Sequence, residues 1–245
     1  INQLAGSIAE LNQRIALVAG QGHSPNDLLD QRDQALSDLS QHLQLSTVQA
    51  DDGSVTVFVA GGQRLVMGGQ SQPLTVQVDS TDPSRVTLGL SDSGIVRTLQ
   101  AQELGDGAVA GLLRVQGEDL VDARTQLGQL AAALSGKVNE QQALGLDLSN
   151  PAGSGAPMFA VGAARAIPNA HNAVDGSGQF IGQVSLTVTD ATQLRASEYS
   201  LQADPGGAPG VWQLTRLSDG VVHNIASGDV LDGMRIDIGP PAPAA

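Results

Sequence analysis

The hydrophobic period changes along the chain, and this change limits the possible folds more than any other feature of the sequence. Near the N-terminus the apolar residues step by three and four, which is the a/d seam of a coiled-coil-type helix, at Ile1, Leu4, Ile8, Leu11, Ile15 and Val18. Over residues 45–99 the period is two, and Asp52-Gly53 and Gly61-Gly62 are typical of hairpin turns. These patterns predict strands around 45–50, 54–60 and 64–67.

Helical periodicity returns over residues 108–144, and a Pro/Gly/Ser-rich linker at 149–157 separates it from a second region of period two. The order of periods predicts an α+β fold with two domains. Residues 1–150 are expected to form an elongated helical bundle domain, with a β-meander inserted at about 45–100. Residues 157–240 are expected to form an antiparallel β domain.

A second helix is predicted to start with Ser24 as its N-cap and Pro25 in its first turn. In "NDLLDQRDQALSDLSQHL" the apolar stripe consists of Leu28, Leu29, Leu36, Leu39 and Leu43. Arg32 breaks the pattern, because its neighbours three and four residues away are Leu28, Leu29, Ala35 and Leu36.

A full charge in an apolar stripe requires a partner, because burying it unpaired costs several kcal/mol. We expect Arg32 to bond a carboxylate or several backbone carbonyls on a packed element of the same chain, with Glu140, Glu103 and Asp106 as the candidate carboxylates. It would then fix the register of the helices rather than bind a ligand. In one alternative its partner belongs to a neighbouring subunit or a missing terminal helix; in another its side chain only reaches water.

Composition argues against several classes of function. The net charge of −13 disfavours binding to nucleic acid and to anionic membranes. No stretch of 18 apolar residues and no secretory signal is present in the sequence, and the absence of cysteine excludes disulfides and thiolate sites. The chain opens inside an amphipathic pattern, from which we expect a fragment of a longer protein.

No constellation of catalytic or cofactor-binding residues is recognisable, so we expect no enzyme activity, no cofactor and no metal. The histidines, His23, His42, His171 and His223, lack the spacing of metal ligands. The Asp175-Gly176-Ser177-Gly178 stretch lacks the acidic spacing and terminal glutamate of an EF-hand, and it is interpreted as a β-turn.

Five stretches, in chain order, resemble the hook-associated proteins of the bacterial flagellum. They are "INQLAGSIAELNQRIA", "NDLLDQRDQALSDLS", "GGQRLVMG", "LGQLAAALSGKVNEQQALGLDL" and "VTDATQLRASEYSL". The "NDLLDQRDQ" motif is specific to hook-associated and flagellin-like axial proteins. Together with "VNEQQALGLDL", it points to the branch of that family which joins hook to filament.

The resemblance implies a structural, exported axial protein whose terminal helices pack into the flagellar tube while its central domains face outward. Both terminal axial segments are expected to lie outside this chain. The implied partners are hook protein, other hook-associated proteins, copies of itself in a junction ring and, through the terminal regions, an export chaperone. The implied location is the extracellular flagellum, reached through the flagellar secretion apparatus without a cleaved signal peptide.

The residues selected for structural or interaction roles are Asp27, Leu29, Asp30, Arg32 and Leu36 in the second helix and Glu140 in the long helix. Without its terminal helices, and with copies that repel one another, the fragment is expected to be a monomer. The alternative function is a secreted β-rich surface-binding module or adhesin, in which residues 158–240 bind a ligand. The scarcity of aromatic residues counts against sugar binding there.

Overall fold

The computed structural model of the chain describes residues 1–21, 24–92, 94–160, 162, 164–204, 206–208 and 210–239. The chain divides into two compact units, one of residues Ile1–Glu118 and the other from Asp119 onward. The sequence places the domain boundary near residue 150, and that boundary stays a prediction. The histidine His23 and the C-terminal tail from residue 240 lie outside the described residues.

Two helices, α1 (Asn2–Gly20) and α2 (Asn26–Ser40), pack against each other in the first unit. The predicted seam of α1 is the packed face, since Ile8, Leu11 and Ile15 are buried. The expected N-cap of α2 is wrong by one residue. Pro25 is the N-cap, and the hydroxyl of Ser24 donates instead to Asn26 Oδ1 at 2.7 Å.

Two antiparallel sheets complete the first unit. One consists of β1 (Ser46–Gln49), β2 (Val55–Val59), β3 (Gln63–Met67) and β4 (Gln70–Ser71), in that spatial order. The other consists of β5 (Leu74–Val78), β6 (Val86–Asp92) and β7 (Ile95–Leu99). Alternate residues of β2, namely Val55, Val57 and Val59, are buried in one core with α1 and α2.

A 3₁₀ turn (Ala101–Leu104) leads from β7 to α3 (Ala108–Arg114). The first N–H groups of α3 meet carbonyls of the C-cap and turn that end α2. Ala108 N donates to Gln41 O, and Val109 N donates to His42 O, each at 3.1 Å. Exposed helix termini leave such groups unpaired, so the two helix ends satisfy each other.

The single helix predicted over 108–144 is interrupted. A π-helical turn (Val115–Asp119) separates α3 from α4 (Leu120–Ala143). Along α4 the predicted apolar face is exposed, with Leu127, Leu130 and Leu134 each more than 60% accessible. None of the helices in the described ranges is long and apolar enough to cross a bilayer.

The second unit also contains two three-stranded antiparallel sheets. Strands β8 (Val184–Val188), β12 (Val230–Leu231) and β13 (Met234–Ile238) form one sheet, with β13 in the middle. Strands β9 (Tyr199–Ala203), β10 (Trp212–Arg216) and β11 (Val222–Ile225) form the other, with β10 in the middle. Their small core is centred on Leu214, Ile225 and Ile236. The predicted α+β fold class is confirmed.

Candidate functional site: the Asn12–Arg32 junction

Asn12 of α1 is fully buried and bonds a strand and a turn of the first sheet. Its Nδ2 donates to Val55 O at 2.7 Å and to Gly68 O at 3.1 Å, while its Oδ1 accepts the Val55 N–H at 3.0 Å. A buried amide that keeps its hydrogen bonds avoids the free-energy cost of desolvation. Asn12 therefore joins α1 to the start of β2 and to the turn after β3.

Arg32 of α2 reaches the same place and is only 4% exposed. Its Nη1 donates to Gly53 O, in the turn between β1 and β2, at 2.6 Å, and lies 3.4 Å from Asn12 Oδ1. Its Nε is buried and has no hydrogen-bond partner among the described residues. We call Asn12, Arg32, Gly53, Val55 and Gly68 the Asn12–Arg32 junction, because they tie two helices to two turns.

Burial lowers the pKa of Arg32, and the nearby carboxylate of Asp33 opposes this by favouring the charged form. Arginine starts from so high a pKa that the guanidinium stays charged at neutral pH. The junction thus contains a buried cation that is stabilised mainly by carbonyl and amide oxygens. Such an arrangement can hold elements together, and it leaves no free group positioned for proton transfer or nucleophilic attack.

The turn that meets Arg32 has its own constraints. Gly53 has φ +80°, and an added Cβ would lie 3.3 Å from Ile15 Cγ2 of α1. The carboxylate of Asp52 accepts the Ser54 N–H at 2.9 Å. Hydrogen bonds from the side chain and backbone of Ser54 lower the pKa of Asp52. These bonds hold the turn in the shape that directs Gly53 O toward Arg32.

Of the two kinds of partner expected for Arg32, the structure shows a backbone carbonyl, that of Gly53, and neither Glu103 nor Asp106 fills the role. Glu140 lies in the second unit, so its pairing with Arg32 stays a prediction. Glu140 forms an ion pair with Lys137 at 2.8 Å, and Glu103 accepts the Gln100 N–H at 3.4 Å. Asp106 contributes its main-chain N–H, which donates to Gln44 Oε1 at 3.3 Å. A turn carbonyl meets the guanidinium instead, because the tight β1–β2 turn brings Gly53 O against the α1–α2 seam.

The other selected residues of α2 are not part of the junction. Asp27 and Asp30 are exposed, and Leu29 is half-buried. Leu36 is half-buried against the core of the first unit. A role for any of them in contacts between subunits stays a prediction.

Asn12 was not among the predicted site residues, although the sequence contains a signal for it. Asn12 lies next to Leu11 and three residues before Ile15, so it interrupts the apolar face of α1 as Arg32 interrupts that of α2. Two polar interruptions on helices predicted to pack together indicate a buried polar contact.

Across the described ranges, no group of three or more His, Asp or Glu side chains is placed to hold a metal ion.

A second polar cluster, also missed, joins the two sheets of the second unit. Tyr199 Oη donates to Asp232 Oδ2 at 2.6 Å, and Arg216 forms ion pairs with Asp232 and Asp219 at 3.5 Å each. Burial, and then the bond to Asp232, raises the pKa of Tyr199. The cluster ties β9 and β10 to the turn before β13 and supplements a core of few residues.

Known families match both parts of the chain. The family described as "Flagellar hook-associated protein FlgK helical domain" matches residues 1–159. The one described as "Flagellar hook-associated protein 1, D2-like domain" matches residues 168–245.

Curated relatives match almost the full chain. It is 34% identical over 251 aligned residues to "Flagellar hook-associated protein 1" of Escherichia coli, covering 99% of this chain and 44% of the relative. It is 33% identical over 248 residues to the protein of the same name from Salmonella typhimurium, covering 98% of this chain and 42% of the relative. The chain thus spans less than half the length of these relatives.

A solved structure agrees with the sequence matches. The chain superposes with a TM-score of 0.83 and 33% identity on the flagellar hook junction protein FlgK from Burkholderia pseudomallei, covering 98% of this chain and 43% of that one. The resemblance found in the sequence motifs is therefore confirmed. The chain belongs to the flagellar hook-associated protein 1 (FlgK) family.

Proposed function

We propose that this chain is the central part of a structural, non-enzymatic subunit that joins hook to filament in the bacterial flagellum. The observation that carries the proposal is the match to hook-associated protein 1 over nearly the whole chain, in both sequence and fold. The proposed role needs elements that keep their relative positions under mechanical load. The Asn12–Arg32 junction suits that need, because it fixes α1, α2 and two turns through directional bonds.

The division of labour within the chain is part of the proposal. Residues 1–150 would form the helical domain with its β insertion, and residues 157–240 the outward-facing β domain. The ranges matched by the two families, 1–159 and 168–245, support a division into two domains, with the change of family a few residues after the predicted linker. Loops and hairpins on the outer domain would tolerate sequence change, as surface segments generally do.

The proposed partners are hook protein, other hook-associated proteins and further copies of this protein in the junction. The proposed location is the extracellular flagellum, reached by the flagellar secretion apparatus without signal-peptide cleavage, with a chaperone engaging the terminal regions. Exposed Asp27 and Asp30 of α2 are candidates for contacts between subunits, since polar residues commonly form interface rims.

A strain that lacks the full-length protein tests the proposal. Without a junction subunit, filament subunits should be exported but not retained, so they should accumulate in the culture medium. Quantifying filament protein in the medium and on cells gives the measurement, and restoring the gene is the control. Filaments of normal length and number in the deletion strain would contradict the proposed function.

A further inference from the structure

Two asparagines of α1 hold strand main-chain atoms with the same geometry. Asn2 Nδ2 donates to Leu74 O at 2.9 Å, and Asn2 Oδ1 accepts the Leu74 N–H at 2.9 Å. Asn12 binds the C=O and N–H of Val55 in the same way, at 2.7 and 3.0 Å. Each side-chain amide therefore pairs with both main-chain groups of one residue, as a neighbouring strand residue does.

The Asn2 bond closes an open strand edge. Within the described residues, β5 lies at the edge of the sheet β5-β6-β7 and pairs only with β6. Ser91 N donates to Pro73 O at 3.0 Å, so the main chain of Pro73 is directed toward β6. Main-chain direction alternates along a strand, and the N–H and C=O of Leu74 must therefore face away from β6. Asn2 satisfies both groups at that free edge.

The Asn12 bond fills an equivalent gap in the other sheet. Ala50 N donates to Ser54 O at 2.8 Å, so Ser54 faces β1 and Val55 faces the side of β3. The register pairs Val57 with Val66, which places the position opposite Val55 beyond the end of β3 at Met67. The register places Gly68 there, and Asn12 bridges the gap because it bonds Val55 O and also Gly68 O, at 2.7 and 3.1 Å.

We propose that α1 satisfies unpaired main-chain groups in both sheets of the first unit, through Asn2 at the edge strand β5 and through Asn12 at the end of β2 that extends past β3, and so determines where β5 and β2 begin. In β5 apolar packing specifies the register only weakly, because Leu74 is the one buried residue of this strand. The edge of β5 has particular need of such closure. Val76 and Val78 of this strand are exposed, and an unpaired edge with exposed valines invites pairing with another chain.

Amide hydrogen exchange of the whole 245-residue chain, followed residue by residue with NMR, tests the proposal. In Asn2→Ala, protection at Leu74 and the neighbouring β5 amides should fall about five- to tenfold, the effect of losing roughly 1 kcal/mol of hydrogen bonding. Protection in β2 should not change. Alanine has a higher helix propensity than asparagine, so the substitution does not weaken α1 itself.

Gln3→Ala is the matched control, since it changes an exposed amide at the next position of α1 and should leave β5 protection as in the parent chain. Asn12→Ala should give the reciprocal pattern, with loss in β2 and not in β5. If Asn12→Ala does not fold, the comparison of Asn2→Ala with Gln3→Ala decides alone. Unchanged protection in β5, or an equal loss in β2 and β5, would overturn the proposal.

Discussion

Arg32 is a buried cation whose close partner is neutral. Desolvating a guanidinium costs several kcal/mol, and a bond to a single carbonyl returns only part of that cost. Once the guanidinium is in place, however, its acceptors depend on it, because Gly53 O and Asn12 Oδ1 would lose their charged donor without it. The short bond to Gly53 O forms only when α2 and the β1–β2 turn are in their observed register.

Replacing Arg32 with methionine should destabilise the first unit by about 1–3 kcal/mol, because Gly53 O and Asn12 Oδ1 lose a charged donor while the apolar volume is kept. Thermal or urea unfolding measures the change. Arg14→Met is the control: Arg14 is an exposed arginine of the neighbouring helix, and its replacement should shift stability by less than about 0.5 kcal/mol. Unchanged stability of Arg32→Met, with lost motility in the full-length protein, would instead place the partner of Arg32 on another subunit.

Sequence alone predicted that Arg32 would bond a carboxylate or several backbone carbonyls, but it could not predict that Gly53 supplies the acceptor. A charge in the middle of an apolar stripe is visible in the order of residues. Its acceptor is a main-chain carbonyl in a turn 21 residues away, and every residue has such a carbonyl, so residue identity carries no signal for it. Asn12 differs from Arg32, because a single neutral polar residue beside the α1 seam is compatible with exposure as well as with burial, and only the matching interruption at Arg32 favours burial.

At the scale of elements, the joint between α2 and α3 depends on Gly107. This residue has φ +117°, and an added Cβ would lie 2.6 Å from His42 O. Gly107→Ala should therefore cost roughly 1–3 kcal/mol through backbone strain and displacement of α3. Gly111→Ala, four residues later in α3 and facing open space, should stabilise by about 0.5–1 kcal/mol. Chemical denaturation of the two variants checks this difference in sign, and equal effects would contradict it.

The strands with clear alternation were predictable, and the short or irregular elements were not. Alternating valines mark β2, and Gly61-Gly62 marks the turn to β3. Strand β4 has only two residues, which is too short for any period to appear. The π-helical turn at Val115–Asp119 keeps the chain helical, so the apolar pattern continues through it and gives no sign of the interruption.

For the whole molecule, we expect stability to decrease in acid. Hydrogen bonds from Ser84 lower the pKa of Asp82, those from Ser177 and Gln179 lower that of Asp175, and those from Thr192 lower that of Asp190. A folded-state pKa below the ordinary value of 3.8 means that each hydrogen bond contributes its full stabilisation of the fold at pH values above 3.8. This stabilisation is lost as the pH falls through the folded-state pKa of the carboxyl group. Unfolding curves between pH 6 and pH 2 should therefore show stability decreasing below about pH 4.

Ser84→Ala serves as the control for the acid effect. It removes the hydroxyl that donates to Asp82 at 2.7 Å. The variant should start less stable at pH 6 and lose less stability on acidification than the parent chain. A parent chain whose stability is the same at pH 6 and at pH 2.5 would contradict the assignment of these carboxylates.

The chain should be mainly a monomer in solution. Copies with a net charge of −13 repel one another, and the effect is strongest at low ionic strength. Multi-angle light scattering at micromolar concentration should give a mass near 25.0 kDa. A stable ring or filament formed by this chain alone would be the contradictory result.

The position of the full-length protein on the flagellum tests the proposed function most directly. Antibodies against residues 184–238, the β strands of the second unit, can be visualised by immunogold electron microscopy on isolated hook–filament complexes. A junction subunit predicts one narrow band of label between hook and filament, absent from complexes of a deletion strain. Label spread along the filament, or confined to the cell surface, would contradict the proposed role.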